Sequence, residues 1–194
     1  MISDESTVQV ADPFLGGLIE QLDAIVLDAR AVLDGLTAEQ VNWQPDPQRW
    51  SIGQCLDHVA RTVRLYPEAI ERMIGDARGR AGVEKPFREG WVSRWAISAM
   101  EPPPTLRIRT MRRVEPAERL DSGVLGAEFE AALRRLRELI AAADGVSLRH
   151  ARMRSPFARV LKFTLGQTFA INLAHARRHL WQARQDCKHA NFPS

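Results

Sequence analysis

Four segments of this 194-residue chain repeat apolar residues at the three- and four-residue spacing of an amphipathic α-helix. They cover residues 14–34, 51–75, 122–143 and 164–187. Each apolar stripe covers one face, so each helix has to bury that face against another element. Because the chain is long enough for one sizeable core, the pattern predicts an all-α fold, an antiparallel four-helix bundle.

Residues that begin and end helices support these limits. Gly35 is expected to end the first helix. Ser51 with Gln54, and Thr164 with Gln167, have the spacing of capping boxes, which begin the second and fourth helices. The helix limits therefore rest on local chemistry as well as on periodicity.

A long connection, residues 76–121, is predicted between the second and third helices. Glycines and prolines interrupt it, and only residues 91–99, as a short helix, and residues 106–110, as extended chain, have a readable pattern. Such long connections are often functional or part of a lid. Residues 36–50 are predicted to be a loop, and Pro67 is expected to kink or end the second helix.

Composition indicates one globular domain, and the predicted helices place it at residues 14–188, between tails of residues 1–13 and 189–194. The chain is 45% hydrophobic and 26% charged, which excludes disordered, collagen-like and membrane proteins. The acidic N-terminus lacks the basic start of a secretory signal, and no apolar run reaches the ~18 residues of a membrane span. Two cysteines do not make a disulfide scaffold, so a cytoplasmic location is expected.

Charge is unevenly distributed along the chain. Residues 1–60 hold ten acidic and two basic residues, a net of −8, whereas residues 146–194 hold nine basic and one acidic residue, a net of +8. Such segments are expected to face each other within the fold or in a homodimer; the alternative is a basic surface for an anionic ligand. The arginines of residues 107–113 lack interleaved aromatic residues and match no nucleic-acid motif, so nucleic acid is not an expected partner.

The last helix carries the candidate chemistry. His175 and His179 are four residues apart, so their rings lie one turn apart on one face. Asn172 and Gln182 fall within the same arc of roughly 80°. Two histidines at this spacing are either metal ligands or hydrogen-bonded core residues, and a third ligand would favour the metal.

His58 on the second helix is the candidate third ligand, because side chains of facing helices converge in a bundle. Three imidazoles leave positions on a metal open for water or substrate, and they suit zinc, nickel, iron or copper. Cys55 lies one turn before His58 and is either a further ligand or nucleophile, or a small core residue.

The chain resembles the DinB-like family (DinB/YfiT type) over about residues 14–188. The resemblance rests on the Leu-Thr and Asn-Trp-Gln-Pro of residues 36–45, the Trp-Ser-Ile-Gly-Gln of residues 50–54 before His58, and the Gly-Gln helix of residues 166–182. It implies a four-helix bundle and a divalent metal held by one histidine of the second helix and two of the fourth, which match His58, His175 and His179.

The resemblance also implies candidate activities. Some similar proteins are metal-dependent S-transferases that use bacillithiol or a related thiol, and a mycothiol branch isomerises maleylpyruvate. We therefore expect a metal-dependent transferase or hydrolase that activates a thiol or water for attack on an electrophile. Asn172 and Gln182 would orient ligands at the metal. The alternative is a non-catalytic metal-binding stress-response or interaction module.

Overall fold

The computed structural model describes residues 10–78, 87, 90–103, 110–156 and 160–194 and is mostly helical. The α-helices of these ranges are α1 Pro13–Leu33, α2 Ala38–Asn42, α3 Ile52–Val63, α4 Pro67–Arg78, α5 Trp91–Ser98, α6 Ser122–Ala142 and α7 Leu165–Cys187. A 3₁₀ turn spans Arg112–Val114, and strands β1 Arg152–Arg154 and β2 Lys162–Thr164 pair antiparallel.

The four longest predicted helices share one apolar core. α3 packs against α6 and α7, and α1 packs against the same two helices. The core is filled by large, fully buried side chains such as Leu15, Leu56, Phe129 and Phe169. Each such side chain contributes about 1.5–3 kcal/mol by leaving water. The packing places α3 and α7 side by side, which positions the candidate site.

Local signals at the helix ends behave as predicted. Both capping boxes form: Ser51 and Thr164 accept from the backbone amides of Gln54 and Gln167, whose side chains accept from the cap amides. Gly35 follows α1 with a φ of 71°, a left-handed conformation that favours glycine. These short-range contacts depend on residues three apart or fewer.

Two local predictions need correction, and the prediction for Pro67 is confirmed. Residues 36–50 are not entirely loop, because Thr37 and Gln40 form a further capping box that begins α2. Pro67 ends the helical run that begins at Ser51 and starts α4, since proline fits a first helical position but not a helix interior. The β1–β2 pair was not part of the all-α expectation; three-residue strands are too short for periodicity to reveal.

The connection predicted over residues 76–121 contains ordered elements. α4 extends to Arg78, and α5 matches the short helix predicted over residues 91–99. The extended chain predicted for residues 106–110 lies outside the described residues, except for Thr110. Arg177 of α7 forms an ion pair with Glu101 and donates to Gln21 Oε1 at 3.0 Å, so it ties the end of α5 to α1 and α7.

The predicted tails differ in what the structure describes. Residues 1–9 of the N-terminal tail lie outside the described residues. The C-terminal tail packs on α2: Gln40 Nε2 donates to the Pro193 carbonyl at 2.9 Å, and the Phe192 ring lies 5.5 Å from that of Trp43. Within the described ranges, no helix combines the length and apolarity that crossing a bilayer requires.

Gly166 leaves room for Phe87 at the start of α7. A Cβ at Gly166 would lie 2.6–2.9 Å from the Phe87 ring, which is buried and packs on Phe14 with ring centroids 4.7 Å apart. We expect Gly166→Ala to lower the free energy of unfolding by about 1–3 kcal/mol, because the ring must leave its position. Urea unfolding measures this.

Gly126→Ala is the matched control for that variant. A Cβ at Gly126 of α6 meets Leu33 Cδ1 at 3.5 Å, an ordinary contact. It should stabilise the helix by about 0.5–1 kcal/mol. Equal effects of the two variants would contradict the role assigned to Gly166.

Candidate metal centre

The three predicted histidines converge on one point. His58 lies on α3, and His175 and His179 lie one turn apart on α7. His175 Nε2 is 3.1 Å from His58 Nε2 and 3.1 Å from His179 Nε2. All three ligand atoms lie within 4.8 Å of one another. We call these residues the three-histidine group.

A backbone carbonyl orients His58. Its Nδ1 is 2.7 Å from the carbonyl oxygen of Val114, in the 3₁₀ turn. A carbonyl only accepts, so Nδ1 donates, and the Nε2 of the neutral ring carries a lone pair. That lone pair faces His175. The contact therefore sets the tautomer that a metal ligand needs.

The segment that carries Val114 is held to α3 by side chains. Asp57 Oδ2 accepts from the Ala117 amide at 2.9 Å and from Arg61 Nε at 2.7 Å. Gln54 Nε2 donates to the Ala117 carbonyl at 3.3 Å. Asp57, which precedes His58, is thus occupied in anchoring this segment and lies outside the three-histidine group.

Trp50 covers one side of the three-histidine group. Its ring centroid lies 4.6 Å from that of His58 and 5.5 Å from that of His179. The sequence places Trp50 directly before the cap Ser51, a position where an apolar residue packs on the helix start. In the fold its indole is also an aromatic wall of the site.

Burial keeps the three imidazoles neutral, and repulsion from neighbouring groups adds to this effect at His175 and His179. Burial lowers the pKa of His58, lowers that of His175 to about 3, and lowers that of His179 well below 6.5. The neighbouring histidines and the buried Arg178 guanidinium lower the pKa values of His175 and His179 further. Neutral imidazole is the form that binds metal.

A family model described as the DinB superfamily matches residues 21–183, most of the chain. The protein belongs to the DinB superfamily. No curated protein and no solved structure matches the chain. The function of this DinB protein is therefore inferred from the geometry of its own site.

The donor set of this DinB protein fits a divalent cation. Nitrogen ligands 2.0–2.1 Å from a tetrahedral zinc would be about 3.3 Å apart, close to the 3.1 Å separations here. Hydrogen bonds alone do not satisfy the cluster. His58 Nε2 has no proton, and His175 Nε2 has at most one to share between two neighbours. A bound divalent cation would accept the Nε2 lone pairs of all three histidines.

The other predicted site residues, Asn172 and Gln182, differ in the contacts that they make. Asn172 Nδ2 donates to the Thr168 carbonyl at 2.8 Å, and its buried Oδ1 has no hydrogen-bond partner within the described part of the chain. Gln182, one turn beyond His179, opposes the lowering of that histidine's pKa. The Nδ1 atoms of His175 and His179 have no hydrogen-bond partner among the described residues.

Cys55 is buried and remains a thiol. Burial, with a contribution from Asp186, raises the pKa of Cys55, so the thiolate that would bind metal or attack an electrophile is disfavoured. Cys55 is not among the described side chains whose ligand atoms meet within 4.8 Å. Its surroundings match those of a small core residue.

Sequence reasoning missed two contributors to the site. Val114 acts through its carbonyl, which no side-chain pattern marks. The position of Trp50 directly before Ser51 indicates packing on the helix start but not its contact with the histidine rings.

Acid should destabilise the metal-free protein through these histidines. Because the folded pKa of His175 is about 3 against 6.5 for an ordinary histidine, the unfolded chain binds more protons between these values. Stability from this source is complete above about pH 6.5 and falls by up to about 1.4 kcal/mol per pH unit as the pH drops. Urea unfolding in chelator should show a shallower acid slope for His175→Gln than for wild type and His150→Gln. Equal slopes would contradict the prediction.

Proposed function

We propose that this DinB protein is a divalent-metal-dependent enzyme of the thiol S-transferase type, or a related hydrolase. A small-molecule thiol, or water, would attack an electrophile at the three-histidine group. The observation that carries the proposal is the convergence of three Nε2 atoms, with the His58 tautomer set by Val114. Zinc, nickel and iron are the candidate ions.

A divalent ion at this site would supply a deprotonated thiol or water at neutral pH. The chain's part is to hold that ion with three neutral imidazoles, which occupy three positions and leave others for ligands. Trp50 excludes water from one side of the group, because its indole lies against His58 and His179. A drier site strengthens every electrostatic interaction in it.

Polar groups beside the histidines would orient the reactants. Asn172 Oδ1 is buried without a hydrogen-bond partner in the described ranges, so it can accept from a bound thiol or water. The Arg178 guanidinium lies close enough to lower the pKa values of His175 and His179. A positive charge there favours anionic reactants, such as a thiol bearing carboxylates.

The proposal includes the architecture around the site. We place residues 14–188 in one cytoplasmic domain, with α1, α3 together with α4, α6 and α7 as the helices of an antiparallel four-helix bundle. The oppositely charged terminal segments are proposed to pair within the fold or in a homodimer.

The alternative, a metal-binding module without turnover, is favoured by one observation. His58 and His179 are only 5% and 6% exposed, so an ion would be reached through a narrow approach. A closed site binds metal as well as an open one but leaves no position for a substrate.

Turnover with defined reactants separates the two functions. Untagged protein loaded with zinc, nickel or ferrous ion would be given cysteine, glutathione, bacillithiol or mycothiol with 1-chloro-2,4-dinitrobenzene. The thiolate displaces chloride and forms a thioether, whose absorbance reports the rate. We expect acceleration of at least about 100-fold over the uncatalysed reaction, lost with chelator and in His175→Ala/His179→Ala but kept in His150→Ala. Metal binding without acceleration for any thiol would reject the transferase and leave the related hydrolase and the binding module.

A further inference from the structure

Asp186 is a buried carboxylate on the site face of α7. It follows His179 by seven residues, two turns, and its side chain is only 2% exposed. Its Oδ1 accepts from Arg49 Nη2 at 3.0 Å, while Oδ2 is buried without a hydrogen-bond partner among the described residues. Since a buried carboxylate is costly without a partner, the pairing with Arg49 is the contact that compensates it.

Arg49 immediately precedes Trp50 in the segment that leads into α3. Its carbonyl accepts from Gln44 Nε2 at 2.9 Å, and its side chain crosses to α7 to reach Asp186. On the other side of Trp50, the Ser51 amide donates to Gln54 Oε1 at 3.1 Å. Among these contacts, the Arg49–Asp186 pair is the one that ties the segment to α7, the helix of His175 and His179.

We propose that Asp186 is a positioning residue, which acts through Arg49 to hold the Trp50 indole against His58 and His179. The pair fixes the segment relative to α7, and the indole then closes one side of the three-histidine group. The consequence for catalysis rests on the proposed function, but the positioning of Trp50 does not, because it exists without a metal.

Loss of the Asp186 carboxylate should let the Trp50 indole move away from the three-histidine group while the helices stay in place. The Arg49 side chain is 46% exposed, so without Asp186 it can turn to solvent. The Gln44 and Gln54 contacts remain and keep the start of α3 formed. The segment then loses its ion pair with α7, and the indole departs from the rings of His58 and His179.

Indole resonances of the metal-free protein test this directly. Each of the five tryptophans contributes one indole N–H peak to a ¹⁵N–¹H correlation spectrum, and Trp50→Phe identifies the peak of Trp50. We expect Asp186→Asn to shift the Trp50 peak beyond its linewidth and to increase its exchange with water. A general loss of structure would move the peaks of Trp43, Trp91, Trp95 and Trp181 as well.

Asp28→Asn is the matched control. Asp28 Oδ1 on α1 pairs at 2.7 Å with Nη2 of Arg184 on α7, the helix of Asp186. Both side chains are about half exposed, and neither belongs to the Trp50 segment. It should leave the Trp50 peak in place. In addition, metal binding should weaken by about tenfold in Asp186→Asn, the size of effect typical of groups that orient metal ligands, and not in Asp28→Asn.

An unmoved Trp50 peak in a folded Asp186→Asn protein would overturn the proposal. If that variant does not fold, Arg49→Lys tests the same link, because it keeps a positive charge beside Asp186 but removes the guanidinium geometry. A shifted Trp50 peak in Arg49→Lys would support the proposal, and an unmoved peak would overturn it. Weaker metal binding with an unmoved Trp50 peak would also reject positioning through Trp50. A moved Trp50 peak in a protein that binds no metal would reject only the proposed function.

Discussion

Replacing His175 and His179 together by alanine is expected to remove divalent metal binding, with a loss of affinity greater than about 100-fold. Groups that only orient metal ligands change affinity by about 10–100-fold when replaced, so loss of two of three ligands must exceed that range. One imidazole would remain, on α3, and a single neutral nitrogen does not retain an ion against water. The wild-type protein should bind close to one equivalent.

Elemental analysis of untagged protein after metal loading and dialysis measures this, with calorimetric titration for the affinity. His150→Ala is the control, because His150 lies outside the three-histidine group and its Nδ1 contacts Ser147 Oγ at 2.6 Å. Metal retained by the double variant would place the ion elsewhere. No metal in the wild type after loading would make His58, His175 and His179 core histidines and would remove the basis of the proposed function.

Arg49→Gln is expected to lower the free energy of unfolding by about 2–4 kcal/mol at pH 7.5, because it leaves the Asp186 carboxylate buried and uncompensated. Asp186→Asn should cost less, since it leaves behind a guanidinium that is already 46% exposed and can be hydrated. The two losses differ because the Asp186 carboxylate is buried, whereas the Arg49 guanidinium is partly exposed to water. Urea unfolding of both variants measures it.

The effect of Arg49→Gln should shrink in acid. Burial raises the pKa of Asp186 to about 6 from 3.8, although the Arg49 guanidinium opposes the rise. Folding therefore favours the protonated carboxyl, and the stability that this contributes declines as the pH rises from 3.8 through about 6. Below that window Asp186 is neutral in both proteins, and no uncompensated charge remains.

Arg184→Gln is the matched control for Arg49→Gln. Arg184 and Arg49 have the same side-chain exposure, 46%, but the partner of Arg184, Asp28, is 48% exposed against 2% for Asp186. Exposed pairs contribute about 0–1 kcal/mol, so Arg184→Gln should change stability little at any pH. Similar losses in the two variants would show that burial of Asp186 does not set the energetics of its pair.

Much of the helical organisation could be predicted because it depends on residues three or four apart. The apolar stripes, the capping boxes at Ser51 and Thr164, and the turn at Gly35 are each complete within a few residues. α2 was missed although its capping box is equally local, because a five-residue helix has too few apolar positions to show a period. Proximity of His175 and His179 follows in the same way from the helical rise.

The remaining features of the site join residues that are distant in the chain. His58 and His175 are separated by 117 residues, Arg49 and Asp186 by 137, and His58 and the carbonyl of Val114 by 56. Such contacts depend on how α3 packs on α7 and on where a backbone carbonyl points, and periodicity describes neither. The sequence by itself determined the helices and the histidine pair on one face of α7. Tertiary packing decided which third ring meets that pair, which tautomer it adopts and which aromatic wall closes it, because desolvation and long-range hydrogen bonds exist only once the helices are assembled.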